Sequence, residues 1–147
     1  MQQIPGLHLY LVGKGSDEFL KDIVSENVTA TGKVEATLPY LKHADVALAP
    51  LLFEAAGTKF KVLEAAVCGV PIVASPVGGE GLPQGYSKHV MTCASADEFV
   101  SAIVGIFRNK GVEQSNQLQE FRARVAADFG LEQLARDAAG ILRAIGN

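Results

Sequence analysis

The run GTKFKVLEAAVCGVPIVAS over residues 57–75 constrains the fold of this chain more than any other stretch. Phe60, Leu63 and Val67 recur at helical spacing, which predicts an apolar helix face. Gly69 stands where a helix C-terminal glycine belongs, and Pro71 prevents the helix from continuing. The β-branched run that follows predicts a buried strand. A helix, a stop and a strand in immediate succession form half of a βαβ unit, and such units build parallel sheets. The helix start is unusual, because Lys59 and Lys61 occupy a first turn whose free N–H groups already make it electropositive. An anion bound there would turn repelling charges into partners, alongside the amides of Gly57, Thr58 and Lys59. The alternative is a solvated turn in which each lysine costs roughly a few tenths of a kcal/mol. The residues by themselves leave both readings open.

The rest of the chain repeats the alternation. Leu7 to Val12, Val28 to Thr31, Asp45 to Ala49, Pro71 to Ser75 and His89 to Thr92 read as strands. Asp17 to Ser25, Glu35 to His43, Thr58 to Cys68 and Ala96 to Arg108 read as helices between them. This order predicts an α/β fold with a Rossmann-like, doubly wound parallel sheet. Two further helical patterns, Gln114 to Ala127 and Leu131 to Ile145, follow a break at Asp128-Phe129-Gly130 and close the domain. Ligands in such sheets sit beyond the C-terminal ends of the strands, so the loops at Gly13, Gly32, Pro50 and Pro76 are expected to share one rim. Gly13-Lys14-Gly15 lacks the third glycine of a dinucleotide fingerprint and is weak as such a signal. Residues 76–83, PVGGEGLP, form the loop richest in glycine and the expected place for backbone to approach a ligand closely.

Composition excludes several classes. With 147 residues, 48% hydrophobic, the chain can bury the core of a single globular domain, expected to span residues 1–147. A net charge of −3 with no basic cluster argues against nucleic acid as a partner. No apolar run nears the roughly 18 residues of a membrane span, and Met1-Gln2-Gln3-Ile4-Pro5 does not open like a signal peptide, so a cytoplasmic location is expected. Cys68 and Cys93 lack CxxC spacing and read as packed, reduced thiols. His8, His43 and His89 show no metal-ligand spacing and read as structural.

With "LHLYLVGKGS", "TGKV", "ADVALAP" and "GTKFKVLEAAVCGVPIVASPVGGEGL", the chain resembles the C-terminal, donor-binding half of the GT-B glycosyltransferases of group 1, a retaining family. The resemblance covers about residues 5–109, and "FGLEQLARDAAGIL" looks like that family's closing helices. It implies that a nucleotide sugar is the substrate, with no separate cofactor and no metal, the base and the sugar being unspecified. Glu64 in "KVLEAA" stands where the family binds the ribose. Gly57, Thr58, Lys59 and Lys61 stand where it holds the diphosphate, and Val34 is placed beside the base, with Gly13 on the same rim. The family's sugar-contacting Glu, eight positions before the ribose-binding one, is Ala56 here, with Glu54 two residues off register. The sugar contact then falls to Glu80 or is made differently.

The resemblance places the start of this sequence at the family's second donor-domain strand. The acceptor domain and the first β-α unit would lie outside it, and this chain alone would bind without transferring. In the order 3-2-1-4-5-6 the strands at Leu7 to Val12 and Asp45 to Ala49 would each lack a neighbour. The gap would be closed by pairing of these two strands, by a homodimer through the strand edges, or by the upstream segment. Peripheral membrane association is a further expectation for the full-length enzyme. Two other readings remain: a non-catalytic interaction or regulatory module, or partner of a split transferase, which Ala56 favours, and an epimerase, which would need further acid/base residues.

Overall fold

The strand Ile72–Ala74 is buried at all three positions, which requires neighbours on both edges and cover on both faces. The computed structural model, which describes residues 4–52, 60–109 and 112–130 with Gln133, Arg136 and Ala139 beyond them, supplies both. Three parallel strands, β3 (Ala47–Ala49), β4 (Ile72–Ala74) and β5 (Val90–Thr92), form one sheet in that spatial order. β1 (Leu9–Val12) and β2 (Val28–Gly32) form a second parallel sheet, whose register slips between Leu11 and Val12. The helices are α1 (Ser16–Phe19), α2 (Leu38–Lys42), α3 (Phe60–Val67), α4 (Pro76–Gly79), α5 (Ala96–Arg108) and α6 (Val112–Phe129). The expected α/β, Rossmann-like architecture is thus present, with all five strands where the sequence places them.

Period-2 alternation along β4 divides the core. Ile72 and Ala74 face a cluster built from α3 and α6, including Val62, Leu63, Ala65, Ala66, Phe121 and Val125. Val73 faces the other way, onto Ile106 of α5 and Cys93, as expected of a packed thiol. Sheet β3-β4-β5 is therefore sandwiched between α3 with α6 on one face and α5 on the other. Neither cluster draws on β1 or β2.

Four expectations need correction. The apolar face of α3 is not Phe60, Leu63 and Val67: Phe60 is 71% exposed and Val67 42%, and only Leu63 of the three is buried. Val62, Ala65 and Ala66 join Leu63 on the inner face instead, the two alanines letting α3 approach its neighbours closely. The helix read from Asp17 to Ser25 stops at Phe19, passes through a 3-10 turn at Lys21–Ile23 and is extended by Val24. Phe19, Ile23 and Val24 there are all exposed, and a short helix without a buried face does not propagate. Pro76–Gly79 is not loop but a short helix, capped by Ser75 and started by Pro76. Of the three routes offered for closing the gap between β1 and β3, direct pairing is not used: each is hydrogen-bonded on one side only among the described residues. The tail break also falls later than expected, since α6 runs through Asp128 to Phe129. The pattern from Leu131 to Ile145 lies almost wholly outside the described residues.

Candidate functional site

Helix α3 is held in place by its ends and its inner face. At its C-terminus Gly69, at φ +71, donates to Ala66 O at 2.9 Å, and Val70 N donates to Ala65 O at 3.1 Å. These are the two bonds of a Schellman motif, with the buried Val70 completing its apolar contact. With Val62, Leu63, Ala65 and Ala66 committed to the core, Lys61 and Glu64 project together from the exposed face, next to Phe60. The two are three residues apart, yet no ion pair within 4.0 Å joins them, or either to another described residue. An unpaired ammonium and an unpaired carboxylate on one turn can meet an anionic group and a hydroxyl-bearing group of one ligand. Gly57, Thr58 and Lys59, together with Glu54 and Ala56, lie outside the described residues.

A second group forms where β1 and β2 end. Gly13, at φ +126, donates from its amide to Thr31 Oγ1 at 3.3 Å, and Gly32 N donates to Ser16 Oγ at 2.9 Å. The two strand ends are thereby tied to each other's loops. Gly13 has no atom within 4 Å of where a Cβ would stand, so its backbone conformation, not crowding, selects glycine. Gly32 has both reasons, since a Cβ would stand 2.6 Å from the Asp17 carboxylate. Val34 follows, half-buried, two residues beyond β2.

The ends of β3 and β4 are joined in a third place. Ser75 N donates to Ala49 O at 3.1 Å, while Ser75 Oγ accepts from Gly78 N at 3.0 Å and donates to the Leu51 carbonyl. Gly78 is buried against the Ala49 carbonyl, where any Cβ would collide. The close backbone approach expected of residues 76–83 is thus made to the protein itself at Gly78. Glu80 is exposed at the end of α4. The loops at Gly13 and Gly32 adjoin, as do those at Pro50 and Pro76, but no hydrogen bond or ion pair among the described residues links the two pairs, or Glu80 to Lys61 and Glu64.

Sequence reasoning missed a cluster behind α3. The fully buried Tyr86 packs edge-on against Phe121, with ring centroids 5.2 Å apart, and donates from its hydroxyl to Asp128 Oδ2 at 2.7 Å. Arg124 lies over the Tyr86 ring at 5.3 Å and its guanidinium is 3.8 Å from Asp128. Burial, and then the Asp128 hydrogen bond, push the phenol well above the usual tyrosine range. No local spacing announces a contact between residues 42 apart. Among the described residues there is no group of three or more His, Cys, Asp or Glu arranged to hold a metal ion, and no helix long and apolar enough to cross a membrane.

A family model described as "Glycosyl transferases group 1" matches the chain over residues 1–109, which take in both sheets, α3 and α5. A comparison with curated proteins finds no match.

Proposed function

The chain belongs to the group 1 glycosyltransferases, and from that premise we propose that it is the nucleotide-sugar donor-binding part of a hexosyltransferase acting on a glycan, lipid or other acceptor. In this reading Glu64 accepts hydrogen bonds from the ribose hydroxyls. Lys61, with Lys59 and the amides of Gly57 and Thr58, carries the diphosphate and stabilises it as it departs. Val34 and Gly13 border the base, and Glu80 meets the sugar. The observation that carries the reading is the unpaired Lys61 and Glu64 standing side by side on the exposed face of α3, within the matched region, while Val62, Leu63, Ala65 and Ala66 of that helix are committed to the core.

Transfer in this reading needs more than the present sequence: an acceptor-binding domain and a further β-α unit of the donor domain. The reaction is cytoplasmic, with peripheral membrane association where the acceptor is a lipid. The direct test is to titrate UDP, GDP and ADP into the chain and follow backbone amides by NMR. Binding is expected to shift residues 57–64 first, and one nucleotide is expected to outcompete the others. No change there at millimolar ligand refutes the donor site.

A further inference from the structure

The 3-10 turn Ser87–His89 presents a histidine to the inner side of α6. The His89 ring lies face to face with that of Phe121, with centroids 4.6 Å apart and planes 12° from parallel. Phe121 is fully buried, and through it α6 covers α3. His89 Nε2 is itself buried and has no hydrogen-bond partner, so the ring is seated as a neutral, flat surface.

The charged groups around it are already engaged or repulsive. On its own turn stands Lys88. From α6 come Glu120, Arg124 and Asp128. Glu120 is taken by Lys88 at 3.2 Å, and Asp128 by the Tyr86 hydroxyl with Arg124 beside it. Arg124 is fixed by the Gln84 carbonyl at 3.0 Å. Glu120 alone favours an added proton, and burial together with the two cations outweighs it.

We propose that His89 is a proton-sensitive latch on α6, holding Phe121 and the helix against α3 while neutral and releasing them when the imidazole is protonated. Burial, and then the neighbouring Lys88, hold this imidazole below the ordinary histidine range. An imidazolium would leave a buried N–H at Nε2 without an acceptor, a cost that withdrawal of the stacked Phe121 and entry of water would relieve. Release loosens the support of the helix that bears Lys61 and Glu64, so the state of one histidine is passed to the exposed face of α3 through α6. The latch does not depend on what binds that face.

Hydrogen exchange of the full chain, corrected for the intrinsic rate at each pH, tests the latch. On going from about pH 7.5 to about pH 5, amides of residues 116–128 are expected to lose at least about tenfold in protection while those of β4 do not. The His89→Phe variant keeps the ring stack without a titrating group and is expected to show no such loss. An equal loss in that variant, or none in the unaltered chain, overturns the proposal. If His89→Phe does not fold, NMR titration of the His89 ring in the unaltered chain decides: a midpoint below 6.5 that coincides with the change in α6 supports the latch, and an ordinary midpoint with α6 unmoved overturns it.

Discussion

Tyr86 and Asp128 illustrate how a single pair can set the alkaline limit of a fold. The buried phenol holds its proton to higher pH than it would in the unfolded chain, owing first to burial and then to Asp128. Above the ordinary tyrosine pKa of about 10 the unfolded state therefore gives up a proton that the folded state keeps, and stability falls as pH rises. Tyr86→Phe is expected to remove that dependence and to cost about 0.5–1.5 kcal/mol at neutral pH, through the lost hydrogen bond; urea unfolding at about pH 7 and about pH 10.5 measures both. His89 has the opposite sign. Its lowered pKa means that the unfolded chain binds more protons below about 6.5, so stability falls as pH falls through that value. On the exposed side, Lys61→Ala is expected to weaken nucleoside diphosphates more than nucleosides. Glu64→Gln is expected to weaken both, by about 1–3 kcal/mol, in calorimetric titrations. Lys61 and Glu64 were legible because a linear motif carries them. Tyr86 was not, because its partners come from a helix more than thirty residues further on, and no periodicity reports a contact of that range.

Helix α5 is read from sequence to both of its ends, and its N-terminus shows why. Ser95 Oγ accepts from Glu98 N at 3.3 Å, and the Glu98 carboxylate accepts from the Ala94 amide at 2.8 Å, so the start is written in five adjacent residues. Ser95→Ala is expected to destabilise the chain by about 0.5–2 kcal/mol in thermal or denaturant unfolding. Helix α3 is the contrary case. Its C-terminus is equally local, and Gly69→Ala, forcing a side chain to φ +71, is expected to cost about 1 kcal/mol. Its buried face was misread, however, because hydrophobicity ranks Phe60 and Val67 above alanine. The packing selects for size instead: Ala65 and Ala66 are 0% and 1% exposed, and no larger side chain would let α6 lie so near. The start of α4 at Ser75-Pro76 was likewise available from capping chemistry but hidden by the glycines that follow it.

At the scale of the molecule, the sequence conveyed strand number, order and parallel sense, because each depends on alternation within short segments. It implied that β1 and β3 would each lack a neighbour but left open whether the two would pair with each other, since that depends on contacts beyond any short segment. Among the described residues both keep an open row of backbone donors and acceptors, with Tyr10 and Leu48 exposed on them. Such edges recruit further strands. The isolated chain is expected to self-associate with rising concentration in light scattering, and Tyr10→Lys is expected to reduce this.

The placement of the core has a consequence for how the molecule comes apart. Buried clusters join β3, β4, β5, α3, α5 and α6, whereas β1, β2 and α1 contribute no side chain to either. Cooperativity requires shared burial, so the two portions have little reason to melt as one. Brief digestion under native conditions should remove the segment before α2, to about residue 35, first and leave a resistant remainder in which Leu41 still packs on the core. Heating should give two transitions, the earlier one erased when an added strand bridges β1 to β3.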